Sequence, residues 1–150
     1  MQEVIQYYED YNIGDSRITL GRTITETDIV MHAMHTGDFF PHHVDEEFAK
    51  KGPFGKRIAQ FSLTHSIGIA LTAGKVNPKA FTYGFERLRF PNPVFIGDTI
   101  TTTVTIKEMK DYPKDPDKFG MVYEACEVLN QNKKCVSYSE HLLLVERKKD

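Results

Sequence analysis

The chain has 150 residues, 40% hydrophobic and 27% charged, which suits one soluble α+β domain spanning 1–150 around one core. Its formal net charge of -2 lacks the basic excess a nucleic-acid partner would need. The stretch from Met1 has no apolar core of signal-peptide length, and no later run approaches the roughly 20 apolar residues of a membrane span, so a cytoplasmic protein without membrane contact is expected.

In chain order, Arg17 to Ile24 reads as an imperfect strand with Ile18, Leu20, Arg22 and Ile24 on one side. Thr25-Glu26-Thr27-Asp28 forms a capping box, and Ile29, Val30, Ala33 and Met34 give the following helix an apolar face until Gly37 ends it. The segment Asp38 to His43 is then expected to be a loop, because Pro41 lacks an amide donor and disfavours the α conformation at Phe40. Val44 to Lys51 has the acidic-to-basic order of a short helix stopped by Gly52-Pro53. Ile58 to Ala73 is a longer helix, apolar on most sides, which belongs in a core.

The period then changes. Phe81 to Phe90 alternates, and Tyr83, Phe85 and Phe90 are expected to pack within that strand. Thr99 to Met109 is a threonine-rich β-run, and Gly120 to Leu129 and Lys134 to Glu146 are two more strands joined through Asn130-Gln131-Asn132 as a hairpin. One buried helix followed by about four antiparallel strands indicates an α+β domain with the helix packed on the sheet. Cys126 and Cys135 match no zinc or redox spacing and read as structural thiols within strands.

Chemistry concentrates between Asp38 and Ser62. A carboxylate and an imidazole converging on one water can move a proton on and off it near neutral pH, given a histidine reference pKa of roughly 6.5. From the residues alone the alternative stands beside it: Asp38 caps a turn and His43 is an ordinary surface residue. His32, His35, His42, His43, Asp38 and Asp45 invite a metal reading, but no ligand spacing such as His-Glu-x-x-His is present and none is expected to bind. Ser62 and Thr64 offer hydroxyls either to a ligand or to the amides of their own helix start.

Gly37-Asp38-Phe39-Phe40-Pro41-His42-His43-Val44-Asp45, followed by Phe54-Gly55-Lys56-Arg57-Ile58-Ala59 and later by Arg89-Phe90-Pro91-Asn92-Pro93-Val94-Phe95-Ile96-Gly97-Asp98-Thr99-Ile100, resembles the MaoC-like dehydratases, the R-specific enoyl-CoA hydratases of hotdog fold. The family pattern is Asp-x-Asn-Pro-x-His, an acidic residue, Phe-Gly, then a helix beginning Ile-Ala-His-Gly. The resemblance implies a hotdog domain, an antiparallel sheet wrapped around the long central helix, assembled as a homodimer or higher homo-oligomer. It further implies that an acyl-CoA thioester binds in a tunnel near the subunit interface and that Asp38 and His43 hold and activate the hydrating water. The backbone amide at the helix start, here that of Phe61, would stabilise charge on the thioester oxygen. Lys56 and Arg57 flank the helix entrance and would suit coenzyme-A phosphates. No metal or other cofactor is implied, since coenzyme A is part of the substrate.

Two departures stand out. Phe40 replaces the family's Asn, exchanging a polar contact for an apolar wall on the substrate side. Gln60-Phe61 replaces His-Gly, which puts a side chain where glycine would let a ligand approach the backbone. These departures keep two other readings beside the hydratase: hotdog thioester hydrolysis, and a non-catalytic acyl-CoA-binding or regulatory protein.

Overall fold

A computed structural model describes residues 2–149. In chain order it has strand β1 (Gln2–Glu3), a 3₁₀ turn (Tyr8–Asp10), strands β2 (Ser16–Ile18) and β3 (Arg22–Thr23), and helices α1 (Glu26–Thr36), α2 (Pro41–Val44), α3 (Glu46–Lys50) and α4 (Phe61–Ala70). Strands β4 (Lys75–Val76), β5 (Ala80–Arg89), β6 (Thr99–Asp111), β7 (Phe119–Leu129) and β8 (Cys135–Glu146) follow. The main sheet runs β2-β6-β7-β8-β5 with β3 pairing farther along β6, and every pairing in it is antiparallel. β1 and β4 form a separate parallel pair.

Alternation decides which face of the sheet is covered. Ile100, Thr102, Val104 and Ile106 of β6 are buried in strict alternation, as are Val122, Glu124, Cys126 and Val128 of β7. Helix α4 lies across this face, and its Leu63 and Ile67 share a core with Ile29, Ile100, Val128 and Val136. The approach is close because α4 carries a glycine at its contact point. Thr102 Oγ1 donates to the Gly68 carbonyl at 2.7 Å, and a Cβ built on Gly68 would lie 2.5 Å from Val128 Cγ2. No helix among the described residues is long and apolar enough to cross a membrane.

Several expectations shift by a few residues, each for a local reason. Arg17 to Ile24 is two short strands rather than one, with Ile18 and Leu20 exposed on the face expected to be covered. The core helix is shorter than Ile58 to Ala73, because Ile58 forms a β-bridge with Phe95 and the chain beyond Ala70 turns. Pro41 starts a helical turn instead of preventing one: proline is tolerated at the first helical position, and Phe40 before it is extended, at φ -57° and ψ 134°. Val44 closes that turn, and the next helix begins at Glu46 with Asp45 as its cap. β5 is an edge strand whose Phe81, Tyr83 and Phe85 are substantially exposed.

Gly68 sets the spacing of helix and sheet. Gly68→Ala gains about 1 kcal/mol of helix propensity, but crowding against the stiff, buried Val128 should cost about 1–3 kcal/mol and outweigh it. Denaturant midpoints for Gly68→Ala, Val128→Ala and the double variant test this. The double variant should recover part of the summed loss, whereas strict additivity would mean the two side chains do not meet.

Candidate active site

The turn from α1 into α2 brings an acid and a base together. Thr25 Oγ1 accepts from the Asp28 amide while the Asp28 carboxylate accepts from the Thr25 amide, so the capping box fixes the start of α1. Gly37, at φ 80°, ends the helix and donates its amide to the Ala33 carbonyl at 2.8 Å. Asp38 follows at once, its Oδ1 accepting from the Phe40 amide at 3.4 Å, and the Phe40 carbonyl accepts from the His43 amide at 2.9 Å.

His43 is buried, with 3% of its surface exposed, while the Asp38 side chain is 37% exposed. His43 Nδ1 lies 2.8 Å from the Ile58 carbonyl oxygen. A carbonyl only accepts, so Nδ1 carries a proton, and in the neutral ring Nε2 is the acceptor. That Nε2 lies 3.8 Å from Asp38 Oδ2, too far for a direct bond, but both atoms can reach one shared oxygen. His42 Nε2 is 2.9 Å from the same His43 Nε2, and the Phe40 ring packs on His42 with centroids 4.5 Å apart. Burial, and after it the charge of His43, hold the His42 pKa below its ordinary value against the opposing pull of Asp38.

Helix α4 begins beside this group. Gln60 precedes it, fully buried, with Nε2 donating to the Ile29 carbonyl at 3.2 Å and no side-chain bond capping the helix. The first-turn amides of α4, Phe61 foremost, have no intrahelical acceptor. Phe61 is 61% exposed and its ring lies against Phe90, with centroids 5.1 Å apart. Ser62 Oγ is 2.8 Å from His32 Nε2, which ties α4 to α1, and Thr64 Oγ1 donates within its helix to the Gln60 carbonyl. Arg57 is held by Glu26 at 2.7 Å and Glu46 at 3.0 Å, so its charge is already matched. The Lys56 ammonium sits 4.1 Å from the centroid of the Phe95 ring. Of the histidines considered for a metal, His32 is tied to Ser62, and Asp45 caps α3 by accepting from the Phe48 amide.

A second polar cluster lies within the sheet, and the sequence reading missed it. Glu124, Cys126 and His141 converge with ligand-type atoms within 4.8 Å of one another, all buried. Arg17 donates to Glu124 Oε1 at 2.9 Å, and His141 lies between Glu124 Oε2 at 3.2 Å and Thr82 Oγ1 at 2.9 Å, with Phe85 stacked on its ring. Burial, then the nearby Glu124 charge, push the Cys126 thiol up to about 12, so it stays protonated. Arg17 already neutralises Glu124 and both His141 nitrogens have protein partners, so the set reads as a hydrogen-bonded ion pair rather than a vacant cation site. The available signal was a glutamate at an inward position of a strand otherwise apolar there, with a histidine on a neighbouring strand. Clefts of about 550 and 470 Å³ elsewhere on the surface include none of Asp38, His43 and Phe61.

Comparison with known proteins agrees with the fold and with the family resemblance. The MaoC like domain model matches residues 10–124. The chain is 41% identical over 104 residues to protein MaoC of Klebsiella aerogenes, covering 68% of this chain and 31% of that one, so it spans about a third of that protein's length. It is 36% identical over 103 residues to the (R)-specific enoyl-CoA hydratase of Rhodospirillum rubrum, covering 69% and 71% of the two chains. The Archaeoglobus monoamine oxidase regulatory protein superposes with a TM-score of 0.90 at 36% identity, covering 99% of this chain and 98% of that one. A Mycobacterium tuberculosis protein with a double hotdog fold superposes at 0.77 and 15% identity over 97% of this chain and 46% of that one, a likeness of fold alone. The sheet wrapped on α4 is the hotdog.

The buried ion pair makes an acid-stability prediction. Burial raises the Glu124 pKa, but the His141 hydrogen bond and Arg17 outweigh it and hold the carboxyl below its ordinary value of 4.5. The stabilisation is therefore complete above that value and lost as pH falls through the lower folded-state pKa. Glu124→Gln should lose about 1–3 kcal/mol at neutral pH. Urea midpoints followed from neutral pH into acid should converge for the two proteins below pH 4.5. Curves that stay parallel would remove Glu124 as the source.

Proposed function

The chain belongs to the MaoC-like family, and from that premise we propose that it is a reversible hydro-lyase adding water across the 2,3-double bond of an enoyl-CoA thioester. The observation that carries this reading is the 3.8 Å approach of Asp38 Oδ2 to a His43 Nε2 whose tautomer is fixed from behind by Ile58. In dehydration the thioester carbonyl acidifies the α-proton, Asp38 accepts it, and His43 as imidazolium protonates the leaving β-hydroxyl. Hydration runs the same transfers backwards. Ionised Asp38 beside the His43 imidazolium, and protonated Asp38 beside neutral His43, hold the same single proton, so one protonation level of the coupled pair serves both directions. The electron pairs move within the substrate, so the chemistry calls for no redox cofactor and no metal.

Negative charge builds on the thioester oxygen as the α-proton leaves. The amide of Phe61, at the uncapped start of α4, is our candidate donor, reinforced by the helix dipole. The Phe61 ring lies against Phe90, which leaves it as a wall for the acyl group together with Phe40, and Ser62 adds a hydroxyl in the same helical turn. Lys56, which has no carboxylate partner among the described residues, suits a coenzyme-A phosphate better than Arg57, which bridges two glutamates. The exposed edge strand β5, with Phe81, Tyr83 and Phe85, is where we would pair a second subunit to form a homodimer.

The test is loss of the conjugated enoyl-thioester absorbance over a panel of short, branched and long enoyl-CoAs, with free thiol followed in parallel. Asp38→Asn and His43→Gln should each lower the hydration rate by on the order of 10² to 10⁴. Wild-type rates in either variant would sink the pair assignment. Thiol release without loss of the double bond would make the protein a thioesterase, and tight thioester binding without either reaction would make it a binding protein.

A further inference from the structure

We infer that His42 is a proton relay acting through His43, passing protons between solvent and the buried Nε2 of the acid–base pair. The inference rests on the reading of Asp38 and His43 given above.

The two members of the pair differ in their access to water. Asp38 is partly exposed and can exchange its proton directly, whereas His43 is 3% exposed and its Nδ1 is occupied by the Ile58 carbonyl. Proton traffic to His43 must therefore use Nε2. The side chain in contact with that atom is His42, half-buried, with its own Nε2 at 2.9 Å. Since neutral His43 has a bare Nε2, the hydrogen between the two rings belongs to His42, which donates through Nε2–H and keeps a lone pair on Nδ1.

This is the arrangement of the pair after dehydration and release of product, when His43 has given up its proton and its Nε2 lone pair is taken by His42. A substrate oxygen engages Nε2 in place of His42, so relay and proton transfer to substrate alternate. Reloading is balanced within two rings. A solvent proton bonds to His42 Nδ1 as the Nε2 proton crosses to His43 Nε2, leaving His42 as the Nδ1–H tautomer and His43 as imidazolium. In the other direction the same steps return a proton to water. The groups acting on His42 by charge are His43 and Asp38. The Phe40 ring packs against the His42 ring, and the His42 carbonyl accepts from the Ile58 amide at 3.1 Å, so the ring hangs from a fixed main chain. Its depressed pKa keeps His42 neutral near neutral pH, the state in which its Nδ1 can take up a proton.

Two variants separate relay from support. His42→Gln keeps a donor toward His43 but cannot pass a proton through itself, and His42→Ala removes donor and ring together. Both should lower kcat by about tenfold with KM little changed, and added imidazole should restore His42→Ala in a saturable way but not His42→Gln. Wild-type kcat in His42→Gln, or a His42→Ala defect that imidazole does not relieve, would overturn the relay. Imidazole ¹⁵N shifts of the resting protein give a readout independent of turnover: Nδ1–H for His43 and Nε2–H for His42 are expected, and the reverse tautomers would also overturn it. Asp38→Asn in the same assay tells the two failures apart, since full turnover there removes the acid–base reading itself.

Discussion

The main chain at Ile58 and Ala59 joins the chemistry to the scaffold. The Ile58 carbonyl accepts from His43 Nδ1, the Ile58 amide donates to the His42 carbonyl, and the Ala59 amide donates to the Val94 carbonyl. Ile58 also bridges Phe95. Two consecutive residues thus hold α2 on one side and the segment leading to β6 on the other, and α4 starts just beyond them. The His43 imidazole and the free amides of the α4 first turn are therefore positioned by one short rigid segment. On the proposed reading, a site assembled this way needs little reorganisation as charge shifts, which is where electrostatic stabilisation gains most. It also explains why the core helix begins at Phe61 and not at Ile58, since the preceding backbone groups are already spoken for by the sheet side and α2.

The covered face of the sheet is divided by charge. One end is the apolar core under α4, and the other is a cluster of Ile106, Val122 and Val145 with Tyr8 and Tyr11 over it. Between them sit Arg17, Glu124 and His141. An isolated carboxylate there would be penalised by several kcal/mol, and removing either partner would leave much of that penalty uncompensated. The half-exposed Arg17 supplies the balancing charge from the edge strand β2, so a short strand of only three residues, laddered to β6, is also tied to β7 beyond it. His141 carries the network on to Thr82 of β5, so the buried polar groups link strands from one side of the sheet to the other.

What the sequence made legible follows from how local each signal is. The start and end of α1 are written in Thr25, Asp28 and Gly37, all within reach of the bonds they make. The four long strands are written in runs of β-favouring residues bounded by turns, with clear period-two alternation in β6, and the Asn130 hairpin in its turn residues. Pro41 misled because its meaning depends on position: inside a helix it breaks, at the first turn it starts. The strand from Arg17 to Ile24 misled because its apolar residues suggested one covered face, whereas Ile24 alone of them is buried in the core and Ile18 and Leu20 are exposed. Glu124, Arg17, His141 and Thr82 come from four different strands, and no spacing within one segment can announce a contact of that kind. At the candidate site the motif order around Asp38 and His43 was readable, but the partner of His43 Nδ1 was not, since Ile58 contributes only its backbone.

The two departures from the family pattern gain a physical connection through His42. An Asn in place of Phe40 would put a second amide donor and acceptor beside the acid–base pair, able to compete for its hydrogen bonds. Phe40 instead offers a ring face, and it lies against His42 with no side-chain hydrogen bond to give or take. Removing water from one side of an imidazole favours its neutral form, in line with burial being the leading cause of the low His42 pKa. The polar side chain that does stand next to His43 Nε2 is His42, two positions on from Phe40. Phe61 acts differently. It leaves the backbone amide where the helix start dictates and changes only what stands beside it, a ring packed on Phe90 at the end of β5. On the proposed reading, substitution at the first position bears on how protons move, and at the second on which acyl groups fit.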